Sequence, residues 1–337
     1  MLSTGWLLIA VGLGSFVLTA VIRRYALWRS ILDVPGARSS HSVPTPRGGG
    51  VAIVCAYLLA LILLWHQGVL ADGDSLALVG AGLLVAVVGF MDDHRHIPAR
   101  WRLLGHFAAA GWALSCLGGL PAIVVGGMTV GSLVLLPFAL FYLVWLLNLY
   151  NFMDGIDGIA GIEAIVVCLC MCVIYAIGGH AQASTAPLLL AVAVAGFLVW
   201  NFPPARIFMG DAGSGFLGIS LGVLSLQGAW QDPAYLWAWI ILLGVFIVDA
   251  TVTLLRRLIN GEKVYEAHRS HAYQYAARAT GRHLHVTLAV AMITLGWLAP
   301  VAICVAVFKL DGLLGTLIAY CPLVVLCLKY RAGQAEI

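Results

Sequence analysis

The stretch GSLVLLPFALFYLVWLLNLYNFMDGIDG, residues 131–158, decides the fold. Its first two thirds are apolar for about 20 residues, the length at which a helix rising 1.5 Å per residue crosses the hydrocarbon layer. The apolar run then stops against Asn148, Asn151, Asp154 and Asp157, with Gly155 and Gly158 between them. So dense a polar cluster beside lipid predicts a spanning helix over 130–149 with chemistry at its mouth.

Runs of the same kind recur on both sides of it. Candidate spans lie at 2–22, 48–66, 75–91, 101–119, 130–149, 159–178, 183–200, 214–230, 235–255, 285–308 and 312–329. The chain of 337 residues is 62% hydrophobic and 10% charged. A soluble domain carries about 25% charged residues because it must cover its surface. The expectation is therefore an all-α polytopic membrane protein of about eleven helices, one domain over 1–337, with neither a soluble domain nor an internal repeat. The run at 2–22 has Arg23 and Arg24 after it rather than before it, so it reads as a retained span and not a cleaved leader. The eight Cys all fall in apolar stretches and read as small packing residues. The i, i+2 spacing of Cys168, Cys170 and Cys172 does not converge on one metal.

Charge placement orients the chain. One set of loops holds all but one of the 18 Lys and Arg residues, and the opposite set holds Lys309 alone. By the positive-inside tendency the rich loops face the cytoplasm, with the N-terminus outside and the C-terminus inside. The net charge of +3 forms no basic stripe, which argues against nucleic acid. Asp72, Asp74, Asp232 and Asp311 fall in short outer loops as solvated turn residues. Asp92, Asp93, Asp154, Asp157 and Asp211 fall at cytoplasmic span ends. Asp249 lies within a span, and Arg256 reads as its partner.

Five motifs share that face. Asp92-Asp93 ends the third span, either as a charge pair that stops the helix or as a cation site that offsets its own repulsion. Asn151, Asp154 and Asp157 follow at three-residue steps, so on a helical turn their oxygens share a face and suit a hard cation such as Mg²⁺. An Asx/Gly turn is the plainer alternative. Asn201 and Phe208 precede Gly210-Asp211-Ala-Gly213-Ser214, which opens a helix. There free amides can bind an anion and Asp211 its metal, unless Asp211 only caps. His268, Arg269 and His271 suit a phosphate or a uridine-type headgroup, and equally a basic loop at an anionic leaflet. Arg38, His41 and Arg47 flank the Pro44–Pro46 segment before Gly48-Gly49-Gly50, and suit lipid or nucleotide phosphate as well as a positive-inside junction. Taken together, Asp, Asn, Gly, His and Arg on one face describe metal-assisted chemistry on a diphosphate.

These residues resemble the polyprenyl-phosphate N-acetylhexosamine-1-phosphate transferases. The likeness rests on Asp92-Asp93, the Asn148-to-Gly158 motif, Phe208-Met-Gly-Asp211-x-Gly-Ser214 and His268-x-x-His271, across roughly residues 30 to 275. It implies transfer of a sugar-1-phosphate from a UDP-N-acetylhexosamine to undecaprenyl phosphate, with release of UMP. It also implies a requirement for Mg²⁺ (Mn²⁺ as a substitute), a multi-pass place in a bacterial inner membrane, and membrane lipid or a second copy of the chain as neighbours. Carried over residue by residue, Asp211 is the metal ligand, with Asp157 contributing. Asp92 acts on the lipid phosphate as base or nucleophile, with Asp93 beside it, and Asp154, Asp157 and His268 complete the catalytic set. Asn151, Asn201, Phe208, Arg269, His271, Arg38, His41 and Arg47 hold substrate. The peptidoglycan members carry three adjacent His, where this chain has His268-Arg-Ser-His271. The resemblance is therefore closest to the O-antigen-initiating members that use UDP-GlcNAc, UDP-FucNAc or UDP-QuiNAc. The rivals are phospho-MurNAc-pentapeptide transfer and, from another class, a transporter. Transport would favour acids near the bilayer midplane and repeated halves.

Overall fold

A computed structural model describes residues 4–36, 43–95, 97–262 and 268–334. It is helical almost throughout. The helices are α1 (Thr4–Trp28), α2 (Val51–His66), α3 (Asp72–His94), α4 (Ala99–Leu117), α5 (Ser132–Met153), α6 (Ile159–Ile177), α7 (Thr185–Asn201) and α8 (Asp211–Gln231). They continue as α9 (Pro233–Leu242), α10 (Gly244–Ile259), α11 (Ala272–Thr280), α12 (His283–Ile293), α13 (Ala299–Ala306) and α14 (Gly312–Lys329). Two small antiparallel pairs join them: β1 (Leu32–Asp33) with β2 (Thr45–Pro46), and β3 (Ile123–Val125) with β4 (Met128–Val130).

Among the described residues, 8 helices are long and apolar enough to cross a membrane, or up to 9 if the bent pair α9–α10 is one span. The protein is thus a multi-pass membrane protein, but eleven spans is more than length and composition establish. The difference has local causes. Helix α2 has only 16 residues. Helix α4 carries Arg100 and Arg102 in its first turn and is absent from that set. The expected straight span 235–255 breaks between Leu242 and Gly244 with a bend of 67°. The span expected at 285–308 is counted among the 8, as His283–Ala306, although it contains a π-helical turn at Thr294–Leu298. Helix α1 runs past Arg23 and Arg24 to Trp28, longer than the apolar pattern predicts, with Arg23 donating to the Arg206 carbonyl.

Helix α8 is the hub. Of its apolar window, 94% is buried inside the protein, against 22% for α1. It packs against α3, α5 and α9. Its small residues allow this, because without a water-driven hydrophobic effect helices in lipid associate by close van der Waals approach. At one crossing a side chain on Gly89 of α3 would stand 2.6 Å from the Asp211 and Ala212 backbone. The outer helices turn Leu133, Phe138, Phe141 and Leu59 outward, which only lipid tolerates in such density. All eight Cys are free. At the end away from the acids, Asp232 and Asp311 cap α9 and α14, and Asp232 pairs with Lys309 at 2.8 Å, so these residues cap helices rather than simply sit in solvent.

Candidate active site

The ends of α3, α5 and α7 and the start of α8 meet in one cleft. Its main chamber, about 300 Å³, is lined by Arg47, Asn151, Asp154, Asp157, Asn201 and Phe208, with Asp211 and His283 closing it. A narrower recess of about 70 Å³ continues past Asn151 and Asp211 to Asp92, Arg102 and His106. Asp211 and Asn151 border both spaces. Tertiary structure therefore gathers residues from four of the five motifs around one opening.

The carboxylates have different duties. Asp93 is a cap: its two oxygens accept the amides of Asp211 at 3.0 Å and Ala212 at 3.2 Å. The next two amides, of Gly213 and Ser214, bond back to the Gly210 carbonyl. The start of α8 is thus closed by the protein's own carboxylate, and the expected anion site at free amides is not there. Gly210 makes the turn at φ +80, and a side chain on it would meet Asp93. Asp92 accepts the Ile97 amide at 2.8 Å and is ion-paired with Arg102. Asp157 accepts the Ala205 amide at 3.0 Å and lies 3.2 Å from His283 Nδ1, so it fastens two loops and the start of α12. Asn201 spends both ends of its amide on backbone, accepting from Gly158 and donating to Ile207. Phe208 lines the chamber while its backbone pairs with Pro46 and Gly49.

Asn151, Asp154 and Asp211 also border the chamber. Asn151 and Asp154 make no side-chain hydrogen bond among the described residues. Asp211 meets two cations, Arg47 at 2.5 Å and Arg102 at 3.7 Å, and Arg47 also reaches Asp93 at 2.9 Å. Burial pulls the Arg47 pKa down, but Asp211 and Asp93 outweigh it and the guanidinium is held charged. Asp154 is driven well above the usual carboxylate range, by burial first and then by Asp211, Asp93 and Asp157 against the pull of Arg47.

The Asp154 shift has a testable sign. Its folded pKa is raised, so the folded protein holds a proton that the unfolded chain gives up near about pH 4. Stability is lost as pH rises above that value, because the ionised group must sit in the cleft. Asp154→Asn should therefore raise the thermal midpoint of cation-stripped protein at neutral pH by roughly 2–4 °C, the shift that about 1 kcal/mol gives. The gain should disappear near about pH 4. An equal gain at both pH values would contradict the assignment.

The His motif sits elsewhere. His268, His271 and Arg269 do not line the chamber among the described residues; Gln274 does. His271 is buried beneath the start of α11, with its Nδ1 3.3 Å from Asp249. His268 stacks on it at 4.9 Å. Burial, then His271 and Arg257, push the His268 pKa down to about 3, so its ring is neutral at physiological pH. Arg38 and His41 lie outside the described residues. Asp249 does not pair with Arg256, which instead donates to the Ala332 carbonyl.

Four site residues escaped the sequence reading: Arg102, His283, Gln274 and Asp33. Asp33 lies in β1 and the other three lie near helix starts, and each meets the cleft only through tertiary packing. For Arg102 the one available signal was its basic charge ten residues after Asp92.

Residues 75–229, which contain Asp92, Asp93, Asp154, Asp157 and Asp211, match glycosyl transferase family 4. The chain's relatives include the Bacillus subtilis protein named probable undecaprenyl-phosphate N-acetylglucosaminyl 1-phosphate transferase, 28% identical over 76% of this chain and 72% of that one. The phospho-N-acetylmuramoyl-pentapeptide-transferase of Streptococcus thermophilus is 29% identical over 72% of this chain and 77% of its own length. The decaprenyl-phosphate N-acetylglucosaminephosphotransferase of Mycolicibacterium smegmatis is 29% identical over 72% and 66%. Arg47 and α11 lie outside the matched segment yet border the same cleft.

Proposed function

We propose that the protein transfers N-acetylhexosamine-1-phosphate from a UDP-sugar to undecaprenyl phosphate, releasing UMP. The carrying observation is the meeting of Asn151, Asp154 and Asp211 with Arg47 and Arg102 in one cleft at the ends of the membrane helices. Three relatives named as sugar-phosphate transferases, two of them with a polyprenyl phosphate in the name, support it. In this reading the cleft faces the cytoplasm from the bacterial inner membrane. The product starts O-antigen or another surface polysaccharide, with N-acetylglucosamine as the first sugar to test.

The reaction brings two phosphates together. An oxygen of the lipid phosphate bonds to the sugar-bearing phosphorus, and the diphosphate bridge breaks with its electron pair leaving on UMP. Arg47 and Arg102 offset the charge that this gathers. Asp92 is tied by Arg102 and the Ile97 amide, which suits orienting the acceptor better than attacking it. The lipid phosphate is largely ionised near pH 7, so the step needs little proton removal.

The donor set fits Mg²⁺. The carboxylates of Asp154 and Asp211 and the amide of Asn151 border the chamber beside Arg47, Gln274 and His283, and no cluster of three or more acid, His or Cys side chains able to hold a metal ion forms among the described residues. Mg²⁺ commonly takes one or two carboxylates plus substrate phosphates and keeps its waters. Asp211, with Asp154 and Asn151, would hold it here, while Asp93 and Asp157 are spent on the backbone. The ion would supply charge neutralisation at the donor diphosphate.

The test is UMP release by purified protein with undecaprenyl phosphate, Mg²⁺ and each UDP-sugar in turn. Release from UDP-GlcNAc, UDP-FucNAc or UDP-QuiNAc is expected, with loss of more than about 100-fold on EDTA treatment and recovery with Mg²⁺ or Mn²⁺. No UMP from any UDP-N-acetylhexosamine overturns the reading. Release from UDP-MurNAc-pentapeptide alone moves it to peptidoglycan synthesis.

A further inference from the structure

Asp249 has no place in the cleft, yet it is one of the most heavily engaged side chains in the protein. It lies on α10, just past the 67° bend, and is 4% exposed. Its Oδ1 accepts from the Ala272 amide at 2.9 Å and from Thr253 at 3.1 Å, and lies 3.3 Å from His271 Nδ1. Its Oδ2 accepts the Tyr273 amide at 2.9 Å. One carboxylate thus gathers the start of α11 from a different helix.

Helix α11 is too short to hold itself. It has nine residues, and helices shorter than about 12–15 residues are marginal without tertiary support. A neutral cap such as Ser or Asn would bond the same kind of amide without the desolvation that a buried carboxylate suffers. The use of a carboxylate matches a need for a fixed position, since two amides, a hydroxyl and an imidazole converge on it.

The next link reaches the cleft. The Tyr273 hydroxyl donates to the Phe152 carbonyl at 3.0 Å. A side chain on Gly155 would overlap that hydroxyl and stand 3.1 Å from Gln274 Nε2. Phe152 and Gly155 flank Asp154, and Gln274 lines the chamber itself. His271 stacks on Phe152 at 6.5 Å and on Tyr273 at 5.7 Å. Asp249 therefore sets α11, and α11 bears on the end of α5, which carries Asn151, and on the loop after it, which carries Asp154 and Asp157.

We propose that Asp249 is a positioning residue for the transfer reaction, fixing the height of the Asn151–Asp157 loop in the cleft through Tyr273 and Gln274. The inference rests on the transferase reading. It assigns His271 to the same support rather than to direct contact with substrate.

The test uses full-length protein in detergent, as wild type, Asp249→Asn, Asp249→Glu and Tyr273→Phe. Amide hydrogen exchange across 268–280 and UMP release from UDP-GlcNAc and undecaprenyl phosphate are both measured, with kcat expressed per folded molecule. Asp249→Asn should speed exchange at Ala272 and Tyr273 by about tenfold or more while leaving α8 protected. Its kcat should fall by about 10–100-fold with KM for UDP-GlcNAc within about threefold, the pattern of a displaced catalytic group rather than a lost binding contact. Asp249→Glu keeps the charge and should recover part of kcat. Should Asp249→Asn fail to fold, Tyr273→Phe keeps the cap and removes only the hydroxyl that meets Phe152, Gly155 and Gln274, and a kcat fall of about 3–10-fold is expected. Unchanged exchange at 272–273, or faster exchange with kcat within about twofold of wild type, overturns the proposal, as does a Tyr273→Phe variant with wild-type kcat. If wild-type protein releases no UMP, the transferase reading fails, while the exchange data still decide whether Asp249 holds α11.

Discussion

Asp211→Asn should abolish UMP release, by about 10³-fold or more, and leave the protein folded. Asp211 is the carboxylate that borders both parts of the cleft, stands between Arg47 and Arg102, and is not consumed by a backbone amide. An amide of the same shape still fits at the first position of α8, but it cannot hold a divalent cation as a carboxylate does. Folding should survive because the substitution has two opposed effects. It loses the ion pairs with Arg47 and Arg102, and it also relieves repulsion from Asp92 and Asp93. The check is UMP release alongside thermal unfolding of the same preparation. A variant within about tenfold of wild-type kcat would remove Asp211 from the metal-holding set.

Gly89→Val should have the largest effect on the fold. A Cβ at this position stands 2.6 Å from the Asp211 carbonyl and the Ala212 nitrogen. Both are backbone atoms at the start of the most buried helix, so no flexible side chain can give way. Helix α3 must move off α8, at a loss of about 3 kcal/mol or more. The same shift parts Asp92 and Asp93 from Asp211, so residual folded protein should also lose activity. Gly111→Ala is the control, since nothing lies within 4 Å of a Cβ there, and it should be silent. Yield of monodisperse protein and its thermal midpoint are the measurements. A Gly89→Val protein as stable as wild type would show that α3 and α8 do not pack as described.

Much of this was legible beforehand because lipid is a stringent solvent. Backbone groups in it must bond internally, so an apolar run of about 20 residues has little choice but helix. The same solvent makes acids rare, so those that occur stand out, and the motif around Asn151 and Asp154 could be found by eye. The spacing of Asn151 and Asp154 at one helical turn survived into the structure, because the end of α5 carries it nearly to the loop.

The duties of the acids were not legible. Asp92 and Asp93 are adjacent and chemically alike, yet one pairs with Arg102 and the other caps α8. Asp154 and Asp157 differ in the same way, one open to the cleft and one bonded to Ala205. These differences depend on which backbone amide each carboxylate meets, and for Asp93 and Asp157 that amide lies 118 and 48 residues away in sequence. The break between α9 and α10 was hidden for a related reason, because hydropathy records how apolar a segment is and not whether it runs straight.

The sequence by itself determined a membrane-spanning helical chain with its chemistry at one end, since length, apolarity and charge placement follow from transfer free energies residue by residue. Only the tertiary structure decided which carboxylates border the cleft, which are spent as caps, and that Asp249 bonds the start of α11, since those outcomes rest on contacts that no local pattern contains.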